Sequence, residues 1–245
     1  MKIDTTFTMK RECDTYISQL CLIKQDYNTL LQSSVRYLHH KEIEILNQLP
    51  SLSRKHNYLL GRIAAKQALK KIWPQNLTEV HIANGIFEQP IFKSIYTNLG
   101  ISISHSKDVG VALLFPDAHP MAIDIEHIDS CTHTALSMQL VPSELEYVNK
   151  YIELPMCVLL WTAREALAKV LKTGMMVSLD ILSIDKICKY NNIIISTYKN
   201  FYQYKALSVL LDGDLILTIT CPKNTELDLT GFISKSNIEA IKHDS

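Results

Sequence analysis

Two helical patterns, one in each half of the chain, constrain the fold more than any other feature of the sequence. Apolar residues recur at helical spacing between Leu60 and Ile72, and again between Leu160 and Leu171. The two patterns share four identities at an offset of 102 positions, namely Arg62, Ala64, Leu69 and Lys70 with Arg164, Ala166, Leu171 and Lys172. Four identities are few, so an internal duplication is a hypothesis at this point. The two helices nevertheless favour two halves of similar size.

The most linker-like segment lies close to the midpoint of the 245 residues, where residues 115–120 read Phe-Pro-Asp-Ala-His-Pro. We therefore expect an N-terminal half over residues 1–118 and a C-terminal half over residues 119–245. A chain of this length can remove roughly 70% of its unfolded surface from water, so it needs no disulfide or metal to hold its core.

Alternating polar and apolar residues predict strands after each helix. Ile and Ser alternate at 101–104, residues 109–115 are apolar enough for a central strand, and residues 121–126 alternate again. Near the end of the chain, residues 207–211 and 215–220 flank Asp-Gly-Asp, which is typical of a β-hairpin. The pattern predicts an α+β fold with antiparallel or mixed sheets.

The charge balance excludes some classes of protein. Lys and Arg number 25 and Asp and Glu number 25, so the formal net charge is zero, which excludes a polybasic nucleic-acid coat. No apolar run approaches the roughly 20 residues of a membrane helix, and the first residues do not resemble a signal peptide. The six cysteines form no Cys-x-x-Cys pair, so we expect no zinc site. We expect a soluble, cytoplasmic protein.

One candidate site is the sequence Ile-Asp-Ile-Glu at residues 123–126. Asp124 and Glu126 are two apart on a predicted strand, so they project from the same face, roughly 7 Å apart. Two carboxylates so placed can converge on a hard cation such as Mg²⁺. On this tetrapeptide alone, an exposed polar face of a half-buried strand is the simpler interpretation.

A second candidate lies on the later helix, where residues 161–169 read Trp-Thr-Ala-Arg-Glu-Ala-Leu-Ala-Lys. Glu165 and Lys169 are four apart, so we expect their side chains to meet. Taken alone, this is an ordinary surface ion pair.

Two further motifs offer groups that bind anions. Residues 102–106 read Ser-Ile-Ser-His-Ser, and hydroxyls and an imidazole at a strand end can bind phosphate oxygens. The tight turn that surrounds a hydrolase's nucleophilic serine is missing here. A basic stripe of Arg54, Arg62 and Lys66 lies along the earlier helix. Taken singly, these are a polar strand end and a solvated helix face.

In their order and spacing, the motifs together resemble the 4'-phosphopantetheinyl transferase superfamily, in particular its Sfp-type members. The resemblance runs from about Arg54 to about Ile184, and its most specific parts are the Asp-x-Glu strand and the Trp-x-x-x-Glu-x-x-x-Lys helix. It implies two similar α+β halves in a pseudo-twofold arrangement, with a long helix packed in each. It also implies a monomer that is a pseudo-dimer, with the coenzyme A and metal site between the halves.

The resemblance implies Mg²⁺-dependent transfer of 4'-phosphopantetheine from coenzyme A to a serine of an apo acyl or peptidyl carrier protein, with release of adenosine 3',5'-bisphosphate. Asp124, Glu126 and Glu165 would bind the Mg²⁺ in the C-terminal half. Glu165 and Lys169 would be catalytic: Lys169 would neutralise or protonate the leaving group. The general base is either Glu165 or a water on the cation, because a carboxylate that binds a cation is a weaker base.

The phosphates of coenzyme A would be bound mainly by the N-terminal half. Ser104 and His105 are the first candidates, with His105 at the 3'-phosphate. Arg54 and Arg62 are weaker candidates, since arginine matches phosphate geometry. Carrier domains are generally acidic, and we expect residues 128–157, with apolar Leu136, Met138, Leu140 and Val141, either to contribute to docking or simply to cover the core.

The chain departs from the family pattern in three places. Ala122 replaces a glycine before the Asp-x-Glu strand, and Arg164 stands where many members have lysine. Glu-Gln-Pro at residues 88–90 occupies the place of a common Gly-Lys-Pro turn, so a lysine contact to coenzyme A is missing. None of these departures removes a predicted metal or proton-transfer residue.

Three alternatives stay open. One is a catalytically idle relative that binds coenzyme A or a carrier protein, although such a protein has no need of the Glu165 and Lys169 pair. Another is a different Mg²⁺-dependent phosphotransferase or nuclease, and the zero net charge disfavours a nucleic-acid substrate. The third is a purely structural α+β protein.

Overall fold

The computed structural model describes residues 2–73, 75–93 and 98–234, which contain six α-helices and twelve strands. The helices are α1 (Tyr27–Ser34), α2 (His40–Gln48), α3 (Leu52–Lys70), α4 (Ser130–Ser137), α5 (Pro142–Lys150) and α6 (Met156–Leu171). The strands are β1 (Lys2–Arg11), β2 (Asp14–Lys24), β3 (Ile82–Asn84), β4 (Pro90–Phe92), β5 (Leu99–Ser106), β6 (Val109–Pro116), β7 (Ala122–His127), β8 (Ile184–Tyr190), β9 (Ile193–Tyr198), β10 (Tyr204–Leu211), β11 (Leu215–Pro222) and β12 (Glu226–Leu227).

Two five-stranded sheets form the centre of the molecule. The N-terminal sheet has the order β12-β1-β2-β6-β5, and the C-terminal sheet has the order β7-β11-β10-β9-β8. Neighbouring strands pair antiparallel in both sheets. The predicted α+β class with antiparallel sheets is therefore confirmed, and the predicted hairpin at Asp-Gly-Asp joins β10 to β11.

The sheets pack face to face, and each is covered on its other face by a long helix. Apolar residues of β1, β2 and β6 meet those of β7, β10 and β11 in one buried cluster. The opposite face of the N-terminal sheet packs against α3, and that of the C-terminal sheet packs against α6. This gives four layers in the order helix, sheet, sheet, helix. The predicted long helix in each half is confirmed.

Helix α3 lies very close to the N-terminal sheet. Ser51 caps its first turn by accepting the Arg54 N–H. A Cβ at Gly61 would approach a methyl carbon of Ile103 on β5 to 2.7 Å, so a larger residue would push the helix away from the strand. Gly61 thus holds the helix next to the strand that carries the Ser-His-Ser motif.

The glycine that follows helix α6, Gly174, is not its C-terminal cap. The cap is Lys172, which adopts the left-handed conformation with φ 57° and whose N–H bonds back to Ala168 and Lys169. Gly174 also has a positive φ but lies beyond the cap in a short 3₁₀ turn. Glycine is favoured at such a cap because it lacks a Cβ, but here lysine accepts the strained conformation.

The basic stripe on α3 is not a solvated helix face. Lys66 is fully buried, and its ammonium lies 3.0 Å from Glu42 of α2. Arg62 is also buried, whereas Lys70 in the last turn is exposed. The interpretation of this stripe as solvated was therefore wrong for two of its residues. Glu42 of α2 supplies a buried counter-charge to Lys66, and Arg62 packs on Tyr58 and donates to Asn84.

The two halves repeat one buried carboxylate at an offset of 102 residues. Glu42 accepts the N–H groups of His39 and Ile82 and pairs with Lys66. Glu144 on α5 accepts the N–H groups of Val141 and Ile184 and pairs with Arg164. The cation comes from the long helix of the same half in both cases, although from different turns. These matched contacts support the internal duplication.

The end of the described chain returns to the N-terminal sheet, where β12 pairs with β1. Leu229 and Phe232 then pack between the two sheets. The division at residues 118 and 119 stays a prediction. No helix in the described ranges is both long and apolar enough to cross a membrane.

Candidate active site

A cavity of about 520 Å³ opens where the two halves meet. Its walls come from α3, the turn before β4, β5, β7 and α6. Seven of the eight predicted site residues line it, which are Arg62, Ser104, His105, Asp124, Glu126, Glu165 and Lys169. The eighth, Arg54, lies on the exposed first turn of α3 and is not among the lining residues.

The cavity lies over a junction between the edge strands β5 and β7. In the described part of the chain no backbone ladder joins these strands, and serine side chains bridge them instead. Ser104 donates a hydrogen bond to Oδ1 of Asp124 at 2.7 Å, and Ser106 donates to Oε1 of Glu126 at 2.5 Å. The Asp-x-Glu motif therefore faces the Ser-x-Ser motif across the junction.

Lys169 points from the last turn of α6 to the Asp-x-Glu strand. Its ammonium lies 2.6 Å from Oδ1 of Asp124 and 3.2 Å from the Ile123 carbonyl oxygen. The sequence predicted a meeting of Lys169 with Glu165. Among the described residues its ion pair is formed with Asp124, because β7 passes beside this turn of α6 and competes for the ammonium.

Burial perturbs the acids of the cavity. It raises the pKa of Glu165 to about 7, assisted by repulsion from Asp124 and opposed by Lys169. Burial also raises the pKa of Glu126, while the hydrogen bond from Ser106 lowers it. Three carboxylates and one ammonium thus share a partly buried space, with more negative than positive charge.

The donor set suits a hard divalent cation. Mg²⁺ prefers carboxylate oxygens, and it would offset the mutual repulsion of these acids, which adds to burial in raising the pKa of Glu126 and Glu165. In the present arrangement no three His, Cys, Asp or Glu side chains within the described ranges are close enough together to bind a metal ion. The chemistry of Asp124, Glu126 and Glu165 fits Mg²⁺, and their role as its ligands stays a prediction.

The opposite wall of the cavity carries one guanidinium, of Arg62, and one carboxylate, of Glu88. The guanidinium of Arg62 lies over the Tyr58 ring at 5.0 Å and donates to Oδ1 of Asn84 at 2.9 Å. Asn84 in turn donates to Glu88 at 2.6 Å. These contacts hold the planar guanidinium in one orientation, which favours the recognition of a phosphate.

His105 stands between the two walls with an exposed ring. The surrounding protein desolvates it and Lys169 repels its protonated form, so its pKa is lowered. A neutral imidazole in this place can donate one hydrogen bond to an anion and accept another.

Eight further residues line the cavity that sequence analysis did not name as site residues, which are Asn57, Tyr58, Gly61, Asn84, Glu88, Pro90, Ile103 and Trp161. Trp161 is part of the recognised helix motif, and its spacing of four from Glu165 signals that both share one helix face. Tyr58 gives the same signal, because it lies four residues before Arg62 on α3. Asn84 and Glu88 give none, because the contact of Asn84 with Arg62 and that of Glu88 with Asn84 depend on how the segment before β4 folds over α3.

A second cavity, of about 390 Å³, adjoins the first behind β4 and β5. Glu88, Pro90, Ile103 and Lys169 line both cavities. Most of the remaining lining is apolar and includes Phe92, Ile101, Phe115, Met121 and Val170. An elongated ligand could therefore extend from the charged groups of the first cavity to the apolar side chains of the second.

Comparison with known proteins gives one family and several solved structures. The family described as "ACPS: 4'-phosphopantetheinyl transferase superfamily" matches residues 120–220. No curated protein matches significantly. A crystal structure of a holo-(acyl-carrier-protein) synthase from Bacillus anthracis str. Ames in complex with CoA (3',5'-ADP) is 22% identical, with a TM-score of 0.34, and the match covers 46% of this chain and 96% of that chain. A holo-ACP-synthase from Plasmodium yoelii is 14% identical, with a TM-score of 0.34, over 47% of this chain and 96% of that chain.

Each structural match covers less than half of this chain, so neither establishes the fold as a whole. The family match covers the Asp-x-Glu strand and the helix that carries Glu165 and Lys169. These are the two motifs on which the resemblance mainly rests. The resemblance of the chain to the 4'-phosphopantetheinyl transferase superfamily is thereby confirmed over residues 120–220.

Proposed function

We propose that the protein transfers the 4'-phosphopantetheine group of coenzyme A to a serine hydroxyl of an apo carrier protein and releases adenosine 3',5'-bisphosphate. The observation that carries this proposal is the convergence of the two family motifs with Arg62 and His105 in one cavity. Each motif taken singly had a structural explanation, but a structural role does not require them to meet.

The reaction forms a bond between the serine oxygen and a phosphorus of the pyrophosphate, and breaks the bond from that phosphorus to the bridging oxygen. The serine loses a proton, and the leaving 3',5'-bisphosphate gains negative charge. Catalysis therefore needs a proton acceptor on one side and positive charge on the other.

Residues of the cavity supply both. Glu165 faces the cavity from α6 and is the proposed acceptor of the serine proton. Lys169 is the proposed partner of the leaving group, and its present ion pair with Asp124 directs its ammonium into the cavity. Asp124, Glu126 and Glu165 would bind Mg²⁺, which when bound would neutralise the pyrophosphate.

In this proposal, the first cavity binds the phosphates of coenzyme A and the second cavity binds an uncharged part of it. Arg62, His105 and Ser104 contact the phosphates, and Ser104 also donates a hydrogen bond to Asp124. The apolar second cavity offers room for an uncharged part of coenzyme A. Arg54 is a weaker candidate for a phosphate contact, because it lies outside the lining of the cavity.

For the carrier protein we propose a docking surface within residues 128–157. Met138 and Ile152 are 81% and 85% exposed, and Leu145 is half exposed. Leu136, in contrast, packs into the core beside α6. A contiguous patch of exposed apolar side chains is typical of a protein contact.

The test is to incubate the protein with coenzyme A, Mg²⁺ and a panel of apo carrier proteins, and to read intact masses. A carrier that gains one phosphopantetheine mass supports the proposal. Binding of coenzyme A without modification of any carrier would instead indicate the catalytically idle relative.

A further inference from the structure

Three serines of β5 make different contacts along the junction with β7. Ser102, Ser104 and Ser106 alternate along the strand, so they share one face. Ser102 accepts the Ile123 N–H at 3.1 Å and donates to the Ile123 carbonyl at 3.5 Å. Both bonds of Ser102 are to backbone atoms, so this serine joins the strands without contacting a carboxylate.

Ser106 combines a backbone contact with a carboxylate contact. Its Oγ accepts the His127 N–H at 3.1 Å, and lies 3.0 Å from His127 Nδ1. A hydroxyl has one hydrogen, and that of Ser106 is donated to Oε1 of Glu126 at 2.5 Å. The same Oε1 accepts the His127 N–H at 3.1 Å. Both hydrogen bonds to Glu126 therefore fall on one of its two oxygens.

The surroundings keep Ser106 in this position. Ser106 and His127 are each 5% exposed, and His127 Nε2 lies 3.7 Å from Asp108 on the other side of the ring. The imidazole is thus held between the serine and a carboxylate. A serine packed in this way has little freedom to turn its hydroxyl elsewhere.

Asp124 and Glu126 differ in how much they depend on a serine. Oδ1 of Asp124 accepts hydrogen bonds from the Ser104 hydroxyl at 2.7 Å and from the Lys169 ammonium at 2.6 Å. Ser106 is the one side chain bonded to Glu126 among the described residues. Removal of Ser106 would therefore leave Glu126 with a single backbone contact, and its carboxylate would be free to rotate.

We propose that Ser106 is a positioning residue, which holds Oε1 of Glu126 so that Oε2 is the oxygen offered to a divalent cation in the cavity. The inference rests on the proposed function, because it takes the acids of the cavity as cation ligands. Removal of a residue that hydrogen-bonds to a metal ligand typically weakens metal affinity about 10- to 100-fold.

The experiment measures Mn²⁺ binding by electron paramagnetic resonance, with Mn²⁺ alone and without coenzyme A or carrier protein. Ser106→Ala should raise the dissociation constant for Mn²⁺ about tenfold. Ser102→Ala is the matched control, because it removes a hydroxyl from the same junction, and it should leave the constant within about twofold. Ser106→Cys, which retains the size and a weak donor, should give an intermediate loss.

A double-mutant cycle separates positioning from a general structural effect. Glu126→Gln should weaken Mn²⁺ binding, and Ser106→Ala should add no further loss in that background. The proposal is overturned if Ser106→Ala binds Mn²⁺ as tightly as the wild type does, or if Ser102→Ala loses as much Mn²⁺ affinity as Ser106→Ala. It is also overturned if the wild type does not bind Mn²⁺. If the Mn²⁺ affinities of the wild type and the serine variants follow the predicted order but the wild type modifies no carrier protein, only the proposed transfer is overturned.

Discussion

At the scale of single residues, two arginines with the same predicted role differ in whether they line the cavity. Both belong to the same basic stripe, and both were predicted to contact coenzyme A. Arg62 lines the cavity and is held by Tyr58 and Asn84, whereas Arg54 lies on the exposed first turn of α3. Their difference arises from their turn of the helix, which decides whether the side chain reaches the junction of the halves.

We expect Arg62→Gln to raise the KM for coenzyme A about tenfold or more, since it removes a charged hydrogen-bond donor to phosphate. Arg54→Gln should change KM by less than about twofold. Steady-state kinetics with varied coenzyme A checks both variants. Equal effects at the two positions would contradict the placement of the phosphates beside Arg62.

Lys169 provides a second prediction at this scale. Lys169→Met should lower the rate of transfer about 100-fold or more, because the leaving group would lose its cation. Lys70→Met, in the last turn of α3 and exposed, is the control and should keep the rate of the wild type. Single-turnover rates on a saturated carrier protein make the comparison. A Lys169→Met enzyme with a normal rate would remove this residue from catalysis.

At the scale of elements, the molecule repeats a unit in which a short helix supplies a buried glutamate to the long helix that follows. Glu42 forms an ion pair with Lys66 of α3, and Glu144 forms one with Arg164 of α6. Each glutamate also receives an N–H from a strand after its long helix, at Ile82 or Ile184. The carboxylate thus ties three consecutive elements together in each half.

Glu42→Gln and Glu144→Gln should each lower the free energy of unfolding by about 3–5 kcal/mol, because each leaves a buried cation without its counter-charge. Glu44→Gln and Glu146→Gln are controls on the same two helices, where the side chains are exposed, and should change it by less than about 0.5 kcal/mol. Urea unfolding measures all four. A loss of less than 1 kcal/mol at both buried positions would contradict the role given to these pairs.

The sequence predicted elements well where a periodic pattern was long. Both long helices, the Asp-Gly hairpin and the strands around residues 101, 109 and 121 are present in the structure. The hairpin of β1 and β2 was not assigned, although it supplies part of the core between the sheets. Contacts that join distant segments were also out of reach, because local periodicity shows which face is buried but not what covers it.

The same limit of local sequence patterns explains which features of the site were predicted and which were not. Motif spacing identified seven lining residues, since each lies on a regular helix or strand. The partners of these residues were predicted less well: Ser104 contacts Asp124, and Lys169 turns to Asp124 instead of Glu165. Both differences come from the approach of β5 and α6 to β7, which no single segment of sequence encodes.

At the scale of the whole molecule, one buried histidine links segments from both halves. His119 is fully buried in the connection before β7, bonds to Thr225 at 2.9 Å, and stacks on Tyr16 of β2 at 5.1 Å. Burial lowers its pKa, and Arg11 adds to the effect. The unfolded chain therefore binds a proton on His119 at a higher pH than the folded chain does.

The free energy of unfolding should consequently fall as the pH is lowered through about 6.5, the ordinary pKa of histidine. His119 contributes up to about 1.4 kcal/mol per pH unit to this slope below that value. His119→Gln should reduce the slope between pH 7 and 5. Urea unfolding at several pH values measures it, and an unaltered slope in His119→Gln would contradict the assignment.

The central claim is that the cavity between the halves catalyses phosphopantetheinyl transfer. It is tested most directly by the mass of an apo carrier protein incubated with coenzyme A and Mg²⁺, side by side for the wild type and Glu165→Gln. We predict that the wild type adds one phosphopantetheine group to the carrier serine, and that Glu165→Gln does so at least about 100-fold more slowly. Modification at the same rate by both proteins, or by neither across a broad panel of carriers, would contradict the account.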